Sequence, residues 1–287
     1  VGDQAVVCPA HGAGSVCGSG MADRELSTVG FERRNNPRLQ MADRDTFIDA
    51  KVAEQHDYPP YFERMEQLNL VGGTPMASPP MPRPLTAAAS EQALTRGVAV
   101  DVRPASAYLG AHLPGSLSLP VDMIAAFAGW LLEADDDLVL VADDADQAGE
   151  AARRLGRIGF DRLAGYLAPS LTAWAATGRA FNTVPVVDAR TVQARLEAGT
   201  ADWVLLDVRS AEEVAAASID GARHVYVGEL AQRIDDLDQN DRHTVMCGSG
   251  ARATVAASVL LRHGFEAVDL FLGSMGAWRS GGFPVRD

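Results

Sequence analysis

The sequence predicts an α/β protein built mainly from two copies of one domain, each a mostly parallel sheet with helices on both faces. Three observations carry that expectation. The chain repeats itself: Val100-Asp101-Val102-Arg103 returns as Leu206-Asp207-Val208-Arg209, Pro114-Gly115 as Asp220-Gly221, Gly159-Phe160 as Gly264-Phe265, and Ala173-Trp174 as Ala277-Trp278. Matches at a near-constant spacing mark a duplicated unit, here of about a hundred residues. Short apolar runs alternate with helical patterns, as in parallel sheets joined by crossover helices. The chain also has 287 residues, 47% of them hydrophobic and 22% charged, which is more than one core needs and ordinary for a globular protein.

Taken in order, residues 1–74 form a segment of their own. Residues 75–84 form a linker, because Pro75, Pro79, Pro80, Pro82 and Pro84 force extended backbone. The first copy follows at 85–182 and the second at 183–287. In the second copy, Trp203 to Leu206 reads as a strand ending at Asp207, and Gly228 to Leu237 reads as helical. Thr244 to Met246 is a further strand, ending at Cys247. Arg252 to His263 places Val255, Val259 and Leu260 on one side of a helix that stops near Gly264, and Val268 to Leu272 is a last buried strand. In such sheets ligands bind beyond the carboxyl ends of the strands, which directs attention to the residues after Met246.

Composition excludes several partners. A net charge of -13 has the wrong sign for a nucleic-acid binder. The basic residues are all Arg apart from Lys51, and they form no basic stripe. The longest apolar run, Ile124 to Leu132, is far shorter than the ~20 residues that span a bilayer, so no membrane association is expected. Cys8, Cys17 and Cys247 are too few and too unevenly spaced for a disulfide framework, which points to a reducing, cytoplasmic setting.

The chemistry concentrates at Cys247-Gly248-Ser249-Gly250-Ala251-Arg252, which runs from a strand end into a helix. Small residues let the backbone curl so that several amide N–H groups converge, and the helix start adds partial positive charge. The loop of Gly248, Ser249, Gly250 and Ala251 is therefore expected to bind an anion. Cys247 at its rim is expected to be a nucleophile, with Arg252 assisting. The plain alternative is a structural cysteine before an ordinary strand-to-helix turn.

Together with Leu205-Leu206-Asp207-Val208-Arg209 and the closing pattern Gly273, Trp278, Gly282, Phe283, Pro284, Val285, this loop resembles the rhodanese family of sulfurtransferases. The resemblance implies that Cys247 takes sulfane sulfur as a persulfide, that the loop amides hold it, and that Arg252 helps to hold the anionic substrate. Asp207 and Arg209 are expected to give structural support at the strand end rather than chemistry. A histidine usual in the family is Ser218 here, whereas the first copy keeps His112. The first copy resembles the same fold without a cysteine: Ala142 falls opposite Cys247, and Asp143, Asp144 and Asp146 fill its loop. It is expected to be a scaffold or docking domain.

The N-terminal stretch holds Cys8-Pro9-Ala10-His11-Gly12-Ala13-Gly14-Ser15 and Ser27-Thr28-Val29-Gly30-Phe31-Glu32-Arg33-Arg34. No Gly-Lys-Ser/Thr follows the glycines, which excludes a P-loop. The stretch resembles the end of a metallo-β-lactamase-fold domain of the kind found in persulfide dioxygenases fused to rhodanese domains. That resemblance implies that His11 sits near a metal site, that the iron ligands lie upstream, and that the chain is a fragment of a longer fusion. No cofactor is expected for the rhodanese part, and iron only in an intact dioxygenase domain.

The expected function is sulfur transfer through Cys247 between thiosulfate or a glutathione persulfide and sulfite, a thiol or cyanide, within sulfide detoxification. Two alternatives stay open: a rhodanese-fold phosphatase or arsenate reductase, which has a loop one residue longer, and a non-catalytic interaction module. Homo-oligomer formation also stays open.

Overall fold

The computed structural model describes residues 1–10, 24–41, 43–53, 58–72 and 81–286. Two compact units divide the chain at Phe62 and Glu63. In the first, the strand Val6–Val7 pairs antiparallel with Ser27–Thr28, and the helices Val29–Asn35 and Arg44–Val52 follow. Gly30 is a point of close approach there: a Cβ would meet Asp3 Cβ at 2.7 Å, and its N–H donates to the Asp3 carbonyl.

The second unit holds both repeats, and each has a five-stranded, all-parallel sheet. In spatial order the first is Pro84–Leu85, Leu163–Leu167, Leu138–Val141, Val98–Asp101, Leu117–Ser118. The second is Val186–Val187, Val268–Phe271, Arg242–Met246, Trp203–Asp207, Arg223–His224. The two orders correspond strand for strand, so the repeat in sequence is a repeat in topology. Pro84, the last residue of the proline-rich stretch, already lies in the edge strand of the first sheet. An edge tolerates proline because its missing N–H forfeits no ladder bond on the open side.

Side chains alternate across each sheet as the two-residue period requires. In the second sheet Leu206, Val245 and Leu270 face one core, while Leu205, Met246 and Phe271 face another with Val192 and Trp278. In the first sheet Val100 and Leu140 join that same first core, and Ala99, Val141 and Leu167 turn to a third with Leu171 and Trp174. The inner core is thus common to both repeats. The helix Ala251–Arg262 lies in it, and every residue from Ala253 to Leu260 is buried.

One expected element differs. Gly228 to Leu237 is not a regular helix but a run of turns with a short 3₁₀ segment at Ile234–Asp236. Its amides bond three residues back, as in Gln232 to Glu229, Asp236 to Arg233 and Leu237 to Ile234. Gly228 is pressed against Trp130 of the first repeat: a Cβ there would come within 2.7 Å of the indole. That close approach is possible because residue 228 has no side chain.

Candidate active site

The strand Arg242–Met246 is central in its sheet and delivers Cys247 to the sheet's carboxyl end. Cys247 is buried, with 1% of its surface exposed, while Gly248 is half-buried and Ser249 and Ala251 are exposed. The backbone turns through Gly250 at φ +117°, a conformation that strains any residue with a Cβ. That turn brings the Gly250 N–H to 3.1 Å from Cys247 Sγ, so the loop amide already donates to the sulfur.

The loop is fixed from the other side by the turn that opens the helix Ser274–Ser280. Ser274 Oγ accepts the Cys247 N–H at 3.1 Å and donates to the Phe271 carbonyl at 2.9 Å. The Met275 N–H donates to the Cys247 carbonyl, and the Gly276 N–H to the Gly248 carbonyl.

The corresponding helix starts of the two repeats differ in how they are capped. In the first repeat, Asp144 caps the helix Ala145–Arg157, and its carboxylate accepts the Gln147 N–H at 2.8 Å. In the second, Gly250 is the capping residue and offers no side-chain acceptor. An acceptor from outside is what an uncapped helix start lacks. The first copy supplies its own anion; the second leaves the place open.

Arg252 is placed differently from a free anion ligand. Its Nη1 and Nη2 donate to Glu213 Oε2 and Oε1 at 2.5 and 2.7 Å, and the guanidinium lies over Gly248, where a Cβ would sit 3.3 Å from Nη2. Burial pushes the Glu213 carboxyl up, but the hydrogen bonds and charge of Arg252, with the Ser210 amide and hydroxyl, outweigh it and bring the pKa down to about 2. Glu213 in turn holds Arg252 protonated against burial. Glu213 was not singled out from sequence. Its local signal is the Ser210-x-x-Glu213 capping box that starts the helix Ala211–Ala216.

Asp207 and Arg209 form a buried, bidentate pair, Nε to Oδ1 at 2.9 Å and Nη2 to Oδ2 at 2.6 Å. Arg209 also donates to the Ala217 carbonyl at 2.8 Å. The first repeat has the same pair in Asp101 and Arg103, with Ala111 as the carbonyl partner. A pair kept in the copy that has no cysteine serves the strand end and the helix after it. Ser218 and His112 also correspond: each makes an isolated antiparallel bridge, with Arg286 and Asn182 respectively. His112 is buried, stacked on Tyr108 and bonded to its carbonyl, a packing role.

His11 and Cys17 lie outside the described residues, and Cys8 is exposed. Among the described residues no group of three or more His, Cys, Asp or Glu is placed to hold a metal ion. Among them, too, no helix is long and apolar enough to cross a membrane.

The duplicated parallel sheet, with a cysteine loop at one sheet end and its carboxylate-bearing counterpart at the other, defines a tandem-domain α/β protein. The rhodanese-like domain family matches residues 86–177 and 188–280, and the chain belongs to that family. Among curated proteins it is similar to YrkF of Bacillus subtilis, named for sulfur carriage, with 36% identity over 74 residues, 26% of this chain and 40% of YrkF. It is also similar to a sulfurtransferase of Allochromatium vinosum, with 28% identity over 99 residues, 34% of this chain and 92% of that protein. The chain thus spans about two fifths of the length of YrkF. Among solved structures, a metallo-β-lactamase from Staphylococcus aureus is 28% identical and covers 58% of this chain and 46% of its own, at a TM-score of 0.49. At that partial overlap, the family assignment rests on the two matched repeats.

Proposed function

We propose that the protein is a sulfurtransferase that carries sulfane sulfur as a persulfide on Cys247. The observation that carries this reading is the uncapped helix start at Gly250, whose N–H is already directed at Cys247 Sγ. The name of the Allochromatium vinosum relative supports it.

In the first half-reaction the Cys247 thiolate attacks the outer sulfur of thiosulfate. A new S–S bond forms, the old one breaks, and sulfite leaves with the electron pair. With glutathione persulfide the same attack releases the glutathione thiolate. The loop amides and the helix start stabilise the negative charge on the bound sulfur. In the second half-reaction sulfite, a thiolate or cyanide attacks the outer sulfur, and the Cys247 thiolate is the leaving group. Arg252 and Glu213 hold the loop in shape through both steps, and Asp207 with Arg209 anchors the strand end beneath it.

The resemblance of Val1 to Thr74 to the end of a persulfide dioxygenase domain supports a setting in sulfide and persulfide detoxification, in a cytoplasmic compartment. Iron chemistry would belong to that domain, with no cofactor in the repeats. The test is mass spectrometry of the intact protein after incubation with thiosulfate or glutathione persulfide. A gain of one sulfur at Cys247, lost on adding cyanide and absent in Cys247→Ser, is the expected result. A folded Cys247→Ser variant that still transfers sulfur would overturn the reading.

A further inference from the structure

A cleft of about 350 Å³ abuts the loop at Gly248, the residue next to Cys247. Its charged lining is Arg209, Glu213 and Arg279. Two of these charges are already matched: Arg209 is bonded to Asp207, and Glu213 to Arg252. Arg279 is exposed, and its side chain has no hydrogen-bond or ion-pair partner among the described residues. The cleft therefore carries one uncompensated positive charge, in a chain whose net charge is -13.

The helix that carries that charge is anchored to the cysteine loop. Arg279 lies on the helix Ser274–Ser280, whose first turn is bonded to the loop through the amides of Met275 and Gly276. Gly276 itself lines the cleft and contributes no side chain between Arg279 and Gly248. The volume lies within the ~300–1,000 Å³ range of small-molecule sites, more than the few heavy atoms of thiosulfate fill.

We infer that this cleft is a subsite for the remote carboxylate of a peptide-like thiol persulfide, with Arg279 as the residue that receives it. The inference rests on the sulfurtransferase reading of Cys247 and adds to it a second point of attachment: a persulfide on a carboxylate-bearing thiol is held at two points, whereas thiosulfate is held at the loop alone. Arg279 is a specificity residue, not a catalytic one, and its planar fork suits a carboxylate.

The test uses an unreactive probe, S-methylglutathione, so that it does not depend on sulfur transfer. Calorimetry with the full chain is expected to show binding about tenfold weaker in Arg279→Gln than in the parent, with most of the affinity kept in Arg279→Lys. The diester of the probe, with its carboxylates masked, should bind parent and Arg279→Gln equally. In turnover, Arg279→Gln should raise KM for glutathione persulfide with little change in kcat, and should leave KM for thiosulfate within about twofold. Equal affinity of the probe for parent and Arg279→Gln would overturn the subsite, whether or not Cys247 accepts sulfur. Equal loss of both donors would also overturn it. A parent protein that binds the probe through Arg279 but never loads Cys247 would refute the sulfurtransferase reading instead.

Discussion

Ser258 Oγ accepts a hydrogen bond from the backbone N–H of Ser118 at 2.9 Å, across 140 positions of sequence and from one repeat to the other. Ser258 lies on the helix that begins at the cysteine loop, and its hydroxyl also donates to the Val255 carbonyl one turn earlier. Arg262, at the end of that helix, donates to the Gly115 carbonyl of the first repeat. The cysteine-free copy therefore packs against the helix that follows the cysteine loop. Ser258→Ala leaves the buried Ser118 N–H without an acceptor. It is expected to cost about 1–3 kcal/mol in urea denaturation, with sulfur transfer kept within about twofold because the loop is untouched. An unchanged urea midpoint would mean that the seam between the repeats does not need this bond.

The Glu213 to Arg252 pair gives a second prediction. Glu213→Gln keeps an acceptor but removes the charge that matches Arg252, so the guanidinium should loosen from Gly248 and the loop should lose its shape. Sulfur transfer is expected to fall by about tenfold, and Glu213→Asp should recover only part of it because the shorter side chain cannot reach both nitrogens. Activity equal to the parent in Glu213→Gln would remove the pair from the working site.

A third prediction concerns acid. His243 is buried, its Nδ1 lies 3.0 Å from the Asp241 carbonyl, and its Nε2 has no partner. Burial lowers its pKa below 6.5, and the same is true of His112. A histidine held neutral in the fold binds its proton more readily when unfolded. Its contribution is therefore complete above about pH 6.5 and is lost as pH falls toward the depressed value. Glu213 has the same sign in a lower window: its contribution is present above pH 4.5 and is lost only as pH falls through about 2. Between pH 7.5 and 5.5, then, any loss of stability should come from the histidines. Urea midpoints for His243→Leu should show a shallower pH slope than the parent, with His112 still contributing. An identical slope in the variant would exclude His243 as a source.

The parts of the fold that depend on local pattern were legible in the sequence, and those that depend on distant pairing were not. Leu206-Asp207-Val208-Arg209 announces a strand end because the alternation, the buried Asp and its Arg all lie within a few residues. Cys247 could be placed at a strand end by the apolar run before it and the small residues after it. Glu213, by contrast, is separated from Arg252 by 39 positions, and nothing in its own neighbourhood signals that partner. Gly228 to Leu237 has the composition of a helix, yet it folds as turns with a short 3₁₀ segment, and its close approach to Trp130 of the other repeat is a long-range contact that local pattern does not show. In the N-terminal stretch His11 and Cys17 fall outside the described residues, so the sequence expectation for them has no geometry beside it.

The last prediction turns the difference between the two helix starts into an experiment. Counting from the strand ends at Val141 and Met246, Ser249 occupies the place of Asp144, the carboxylate that caps the first repeat's helix. Ser249 is exposed, so Ser249→Asp can be accommodated without disturbing the core. The new carboxylate would sit at the uncapped helix start and compete with any anion for the loop amides. It would also repel a negative charge a few ångströms away, an effect of about 1 kcal/mol even when screened as in bulk water, or roughly fivefold in rate. Alkylation of Cys247 by anionic iodoacetate should therefore slow by about fivefold or more in Ser249→Asp. Alkylation by neutral iodoacetamide should slow less, and the exposed Cys8 should react at an unchanged rate in both proteins. Ser249→Asn, which has the same shape without the charge, should behave like the parent toward iodoacetate. If iodoacetate and iodoacetamide slowed equally, the carboxylate would be acting on access rather than on charge, and the proposal of an anion site at the Gly250 turn would fail.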